Sequence, residues 1–211
     1  MMSEKDNRYW NDFYSKRKLI KKPSPFAIEI VKHLDADKIL LELGCGNGRD
    51  SFFFAEHGIN VIALDLSNQV IEIDKESSGN KGITFLIKDF TRLNNNEFGS
   101  LDYIYSRFTL HSVDKTDYQR TIEWASNNLN EEKGLFFIEA RTTKDPLYGV
   151  GEAMKDDGFI TTHYRRFFKA QEMMNELKNL GFNLLHVSEN YTDSWYKQDE
   201  AVVIRVICEK R

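Results

Sequence analysis

A loop with three glycines in five positions is flanked by two acids that could act on a ligand. The loop, Gly44-Cys45-Gly46-Asn47-Gly48, follows Glu42, and Asp65 lies further along the chain. Glycine reaches positive φ without steric cost and lets a ligand lie against the main chain. An acid at the tip of a second strand can receive the hydroxyls of a ribose. The pattern predicts a nucleoside site, with a glycine loop that binds nothing as the alternative.

The two acids help to distinguish between nucleoside ligands. A dinucleotide fold uses G-x-G-x-x-G to seat a pyrophosphate, whereas this loop reads G-x-G-x-G. Glu42 and Asp65 would place negative charge near a pyrophosphate, which disfavours a nicotinamide-dependent reductase. They suit a ligand that has a cationic end and a ribose, as S-adenosylmethionine does.

A second set of residues is basic and follows the predicted fourth and fifth strands. Arg107 and His111 come after the fourth strand, Arg141 ends the fifth, and Arg165 and Arg166 lie further on in a segment rich in glycine. Arginine forks bind oxyanions bidentately, and a histidine titrates near neutral pH and can serve as a base. Two structural alternatives stay open: a hydrogen-bonded histidine at 111, and one solvated plus one ion-paired arginine at 165 and 166.

The elements that must position these residues follow from hydrophobic periodicity. The apolar runs predict strands at 39–41, 60–64, 83–87, 101–105, 134–138, 182–187 and 201–208. Helices are predicted from Ser24-Pro25, from an Asp50-Ser51 cap to Gly58, from Ser67, along 118–129 and along 173–180. The link 188–200 is short, polar and without a helical pattern, so the last two strands should pair antiparallel. This order predicts an α/β fold with a doubly wound, mostly parallel sheet.

The chain divides into four predicted segments of a single domain, 1–211. Residues 1–35 form a helical arm or lid, 36–141 a ligand-binding core, 142–168 an insert or lid, and 169–211 a helix and strand hairpin. Trp10, Phe13 and Tyr14 share one face of a short helix in the arm. That aromatic stripe packs on the core, closes over the site, or does both.

Composition excludes several classes of partner. The 211 residues carry 33 acidic and 29 basic side chains, a net charge of -4, so we expect no nucleic-acid partner. Cys45 and Cys208 have no metal-ligand spacing, which predicts no metal and fits a reducing cytoplasm. The charged N-terminus resembles no signal peptide, and no apolar run is long enough to enter a membrane. A monomer and a homodimer remain equally open.

The run Glu42-Leu-Gly-Cys-Gly-Asn-Gly48 resembles motif I of the class I S-adenosylmethionine-dependent methyltransferases. Its continuation, Arg-Asp-Ser and an apolar helix, is similar to the small-molecule branch that includes tellurite-resistance and thiopurine-type enzymes. The runs Pro-Ser-Pro-Phe-Ala, Arg-x-x-Leu-His and His-Tyr-Arg-Arg-Phe resemble bacterial natural-product and capsule-pathway O-methyltransferases. The resemblance implies a Rossmann-like sheet of seven strands whose last strand is antiparallel.

The resemblance also implies roles for individual residues. In the family, an Asp and an apolar neighbour after the third strand meet the adenine, which here gives Asp89 and Phe90. The predicted cofactor site comprises Glu42, Gly44, Cys45, Gly46, Gly48, Arg49, Asp65, Leu66, Asp89, Phe90, Ser106 and Trp10. The predicted catalytic and acceptor-binding residues are His111, Arg107, Tyr14, Arg165 and Arg166.

The activity implied is transfer of a methyl group from S-adenosylmethionine to a small molecule. The basic residues favour O-methylation of an anionic metabolite that bears phosphate, phosphonate or carboxylate. The chain lacks the Asp/Asn-Pro-Pro-aromatic run of amino-methylating nucleic-acid enzymes and the Pro-Cys pair of cytosine C5 enzymes. The alternatives are an N- or S-methyltransferase for a neutral small molecule and a non-catalytic subunit that binds S-adenosylmethionine.

Overall fold

The computed structural model describes residues 9–10, 12, 22–68, 72, 82–193 and 200–211. Phe13, Tyr14 and most of the helix predicted from Ser67 lie outside the described residues. Within these ranges no helix has the length and apolar character that a membrane crossing requires.

A sheet of seven strands carries the fold, and a second sheet of three strands lies in the insert. The strands are β1 Ile39–Leu43, β2 Asn60–Asp65, β3 Ile83–Ile87, β4 Tyr103–Arg107, β5 Leu135–Arg141, β6 Glu152–Ala153, β7 Gly158–Ile160, β8 Tyr164–Arg166, β9 Phe182–Asp193 and β10 Glu200–Lys210. The large sheet has the order β3-β2-β1-β4-β5-β10-β9. Strands β1 to β5 pair in parallel, and β10 is antiparallel to both neighbours. The predicted fold class is confirmed.

Helices cover both faces of the large sheet. They are α1 Pro25–Ile30, α2 Arg49–Glu56, α3 Lys115–Asn128 and α4 Ala170–Asn179. Phe26 of α1 and Phe54 of α2 belong to the core on one face, whereas Tyr118 of α3 and Met173 of α4 belong to the core on the other. Because β1 has β2 on one side and β4 on the other, the strand order reverses beside β1. Such a reversal opens a crevice at the carboxyl ends of the strands.

The helix after the glycine loop begins differently from the prediction. Gly48, at φ 70°, caps α2, so the predicted cap at Asp50-Ser51 is wrong. The Asp50 carboxylate is buried and accepts hydrogen bonds from the Ser24 amide at 2.7 Å and the Tyr105 hydroxyl at 2.9 Å. The side chain of Ser24 meanwhile caps α1, as predicted, by accepting from the Ala27 amide at 3.0 Å. Asp50 therefore binds residues that are distant in sequence and does not cap α2.

Two segments are more regular than their composition indicated. The predicted polar link begins inside β9, which stays paired with β10 as far as Asp193. The insert, predicted to be an irregular loop or lid, contains the antiparallel strands β6, β7 and β8. Successive residues of β8 therefore face opposite sides of that small sheet.

Candidate active site

Two glycines of the loop after β1 lie close to neighbouring side chains. A Cβ atom on Gly44, which has φ +72°, would lie 2.6 Å from the Thr109 side chain. A Cβ atom on Gly48 would lie 3.0 Å from the Phe85 ring. The requirement for glycine at these two positions therefore comes from their positive φ, as the sequence analysis expected, and also from neighbouring side chains, which the sequence did not reveal.

Asp65 ties the loop to the end of β2. Its Oδ2 accepts the Gly46 amide at 2.8 Å, and its Oδ1 accepts the Ser67 amide at 2.8 Å. The Cys45 amide donates to the Leu64 carbonyl at 2.8 Å, which fixes the loop to the same strand. Burial raises the pKa of Asp65, while the two amides act in the opposite direction. The structure thus places this carboxylate at the tip of β2, where the sequence predicted a ribose partner.

Glu42 is a buried acid at the carboxyl end of β1. It accepts a short hydrogen bond from the Ser51 hydroxyl. Burial, followed by the charge of nearby Asp50, raises the pKa of Glu42 to about 8. A positive charge close to Glu42 would favour its ionised form.

The remaining predicted cofactor residues surround this loop. Asp89 accepts the Thr91 amide at 2.9 Å and caps the turn Phe90–Arg92, in which Phe90 is buried. Ser106 pairs in register with Leu43, and its buried Oγ has no hydrogen-bond partner among the described residues. Leu66 follows Asp65 and is half-buried, and Arg49 Nε lies 3.8 Å from Asp50. We call this region, from Glu42 to Asp89 at the ends of β1–β3, the acidic half of the crevice.

A second region begins at the end of β4, where Arg107 lies beside the buried carboxylate of Glu139. Nε of Arg107 lies 2.9 Å from Oε1 of Glu139, which is fully buried on β5. The Arg107 guanidinium also lies 4.4 Å from the centre of the Phe108 ring. Oε2 of Glu139 accepts a hydrogen bond from Arg205 Nε at 2.7 Å. Sequence reasoning missed Glu139, although its place beside Arg141 at the end of the fifth strand was a usable signal.

Phe108 has a backbone conformation that bulky residues rarely adopt. Its φ is 54°, and its amide donates to the Glu139 carbonyl at 2.9 Å. Left-handed backbone at a bulky residue is strained and is found most often at functional sites. The ring lies between Arg107 and the Arg141 guanidinium, which is 5.3 Å away, and meets the His111 ring edge to face.

His111 is buried on the turn that follows β4. Its Nδ1 has no hydrogen-bond partner among the described residues. Burial lowers the pKa of His111 well below its usual value, and the charges of Arg141 and Arg165 lower it further. The imidazole is therefore neutral at pH 7.

His163, in the insert, contacts two aromatic residues near the N-terminus, Tyr9 and Trp10. The Tyr9 ring lies 4.3 Å and the Trp10 ring 4.8 Å from the His163 ring, measured between centroids. Burial and the charges of Arg165 and Arg141 lower the pKa of His163 to about 3. Trp10, predicted on the cofactor side, thus contacts the insert.

The neighbouring arginines of β8 have different surroundings. Arg165 donates to Thr161 Oγ1 at 2.8 Å and contributes to the low pKa values of the two histidines. Arg166 is buried with its guanidinium over the rings of Tyr118, at 4.7 Å, and Phe168, at 4.4 Å. We call the region formed by Arg107, His111, Arg141, His163 and Arg165 the basic half of the crevice; Arg166 is outside it.

Comparisons with known proteins identify methyltransferases as relatives of this chain. The ubiquinone biosynthesis O-methyltransferase of Xanthomonas axonopodis pv. citri is 26% identical over 201 residues, which cover 90% of this chain and 81% of that enzyme. An uncharacterised methyltransferase of Schizosaccharomyces pombe is 29% identical over 112 residues, 52% of this chain and 76% of the relative.

A solved structure shares the fold. It is the 1,6-didemethyltoxoflavin-N1-methyltransferase of Burkholderia thailandensis with bound S-adenosylhomocysteine, which matches with a TM-score of 0.68 and 16% identity over 97% of this chain and 83% of that one. The family model described as a methyltransferase domain matches residues 13–187. The chain therefore belongs to the methyltransferase-domain family and is an S-adenosylmethionine-dependent methyltransferase of the class I fold.

Proposed function

We propose that this methyltransferase methylates an oxygen of a small anionic metabolite that carries phosphate, phosphonate or carboxylate. The proposal rests on one observation: two buried, neutral histidines lie among three guanidiniums at the carboxyl ends of β4 and β5 and in the insert.

The acidic half fits the cofactor. Asp65 would receive the ribose hydroxyls, Glu42 would face the cationic part of the molecule, and Asp89 with Phe90 would meet the adenine. The buried Ser106 hydroxyl, which has no hydrogen-bond partner in the described part of the chain, adds a polar atom beside the loop. S-adenosylmethionine supplies a methyl group already activated by the sulfonium, so the protein's task is alignment, which can contribute ~7–11 kcal/mol to lowering the barrier.

The basic half disfavours a mechanism that depends on a strong base. A proton on His111 would add a positive charge close to Arg107, Arg141 and Arg165, so the imidazole holds a proton weakly. An acceptor oxygen that is already ionised needs no base, and the guanidiniums would stabilise its charge. The overall charge of -4 repels anions at long range, so this local field must overcome that repulsion.

The experiment is an acceptor screen with matched pairs. Phosphorylated, phosphonate and carboxylate compounds and their neutral analogues are offered with S-adenosylmethionine, and release of S-adenosylhomocysteine is measured. We expect the anionic member of each pair to be the better substrate. Preference for the neutral members would contradict the proposal and would favour N- or S-methylation with His111 as the base.

Arg165 provides the first variant for this screen. Arg165→Ala should lower kcat/KM for the anionic acceptor about 10–100-fold, the loss expected for a hydrogen bond to a charged group. Arg165→Lys should restore little, because lysine cannot form the planar fork. The matched control is Arg166→Lys on the same strand, which keeps the charge and lies outside the basic half; a loss equal to that of Arg165→Lys would show that the effect is structural.

A further inference from the structure

We infer that Glu139 is a positioning residue that fixes the Arg107 guanidinium for an acceptor oxyanion. The inference rests on the proposed function, since it specifies how the basic half would hold its anion. Glu139 acts through Arg107 and has no assigned contact with the reacting atoms.

A chain of charges leads from the protein surface to Arg107. Glu29 on α1 accepts from Arg205 Nη1 at 2.7 Å, and Thr192 Oγ1 accepts from Arg205 Nη2 at 3.0 Å. Arg205 Nε then donates to Glu139 Oε2, and Glu139 Oε1 faces Arg107 Nε at 2.9 Å. These contacts join one helix, α1, and three strands, β5, β9 and β10, to the end of β4.

This arrangement restrains the Glu139 carboxylate. The side chain is fully buried, so its negative charge needs cationic partners on both oxygens, and it has one on each. Arg205 is itself held by Glu29 and Thr192 and cannot follow a rotation of Glu139 without breaking those bonds. The carboxylate therefore has one orientation.

Glu139 and Phe108 together restrain the position of the Arg107 guanidinium. Oε1 of Glu139 lies 2.9 Å from Nε of Arg107 in an ion pair that lacks hydrogen-bond geometry, and the Arg107 guanidinium lies over the Phe108 ring, 4.4 Å from its centre. An oxyanion bound beside Arg107 would meet a guanidinium held in place, and the fork of arginine suits carboxylate and phosphate. Phe108 keeps this place through its left-handed backbone, which its amide bond to the Glu139 carbonyl supports. The same residue therefore restrains Arg107 through its side chain and Phe108 through its main chain.

The experiment uses the full chain saturated with S-adenosylhomocysteine and methylphosphonate as the anionic probe. Dissociation constants are measured by titration, and the Arg107 Nε–H resonance is followed by ¹⁵N nuclear magnetic resonance. Glu139→Gln removes the negative charge beside Arg107. It should weaken probe binding at least ~10-fold, the scale for losing one hydrogen bond between Arg107 and the charged probe. It should also broaden the Arg107 resonance, while affinity for S-adenosylhomocysteine stays within about threefold.

Two further variants separate positioning from loss of stability. Arg205→Lys keeps the charge but loses the fork, and should weaken probe binding less than Glu139→Gln does; it replaces Glu139→Gln if that variant does not fold. Asp102→Asn is the control, because Asp102 accepts from Lys38 and the Ile39 amide just before the amino end of β4. It should leave probe binding and the Arg107 resonance unchanged.

The outcomes distinguish the inference from the proposed function. If the wild-type protein binds methylphosphonate and both Glu139→Gln and Arg205→Lys bind it equally well, the positioning role is overturned. The proposal of an anionic acceptor would then still stand. Failure of the wild-type protein to bind methylphosphonate, inorganic phosphate and acetate alike would overturn the proposed function and the inference with it.

Discussion

The two halves of the crevice share one edge of the sheet but have opposite electrostatics. In the acidic half, burial raises the pKa values of Glu42 and Asp65, so these groups would gain from a nearby cation. In the basic half, burial and arginine charges lower the pKa values of His111 and His163, so that region would gain from an anion. The two halves therefore suit ligand groups of opposite charge, although Arg107 and Arg141 in the basic half are each paired with a buried carboxylate, Glu139 and Asp145.

This contrast also gives the two halves opposite effects on stability. A raised carboxyl pKa means that the folded state holds a proton that the unfolded state has released, so stability falls as pH rises from about 4.5 towards 8. A lowered histidine pKa means that the unfolded state binds a proton first, so stability falls as pH drops from about 6.5 towards 3.

The largest expected effect concerns the acidic half. Asp65→Ala should weaken binding of S-adenosylhomocysteine by ~1.5–3 kcal/mol, because charge-assisted hydrogen bonds to the ligand are lost and the Gly46 amide loses its partner. Isothermal titration calorimetry measures this difference, with Asp102→Asn as the control and with NAD expected not to bind. Equal affinities of the wild type and Asp65→Ala would remove the ribose assignment.

A second prediction tests the pH dependence of the acidic half. Glu42→Gln can still accept from Ser51 but does not titrate, so it should abolish the loss of stability that Glu42 causes between pH 6 and pH 7.5, up to about 2 kcal/mol. Urea unfolding of both proteins at the two pH values measures it. Parallel pH profiles for the two proteins would show that Glu42 is ionised in the unliganded protein.

The basic half should respond in the opposite pH range. His163→Gln should remove a destabilisation of up to about 1.4 kcal/mol that develops in the wild type between pH 6.5 and pH 5.5. The same unfolding experiment applies, and exposed His57 offers a control in His57→Gln. If both variants follow the wild-type profile, His163 has an ordinary pKa, and burial and the charges of Arg165 and Arg141 affect it less than inferred.

The smallest effect concerns the strain at Phe108. In most contexts alanine is the more stable replacement, but at φ 54° Phe108→Gly should be more stable than Phe108→Ala by about 1 kcal/mol. Both variants should lose activity, since neither supplies a ring for Arg107. Thermal unfolding and turnover measure the two effects, and a more stable alanine variant would show that the loop relaxes without strain.

The acidic half could be predicted from sequence because its signals are local. Glu42, the glycine loop and Asp65 lie in one strand–loop–helix–strand unit, and the structure keeps that order. The cap of α2 was missed because Asp50 binds Ser24 and Tyr105, which are distant in sequence. Buried polar contacts between residues that are distant in the chain leave no pattern in the sequence around either residue.

The basic half could be predicted only in part. Arg107 and His111 follow a recognisable strand, but the insert showed no periodicity, and its short strands decide where the arginines point. Because side chains alternate along a strand, Arg165 and Arg166 face different surroundings. Glu139 was missed because its place at the end of the fifth strand indicates the crevice but does not reveal which cations it meets.

The bonds between Ser24 and Asp50 have a consequence for the arm. They fix the chain to the first turn of α2, and Trp10 is 14 positions before that anchor. Tyr9 and Trp10, which contact His163, belong to the same chain as that anchor, so their contact with the insert is intramolecular. Short tethers give effective concentrations in the millimolar range. Two aromatic rings on an imidazole therefore make a contact that is favoured over the same contact between separate molecules.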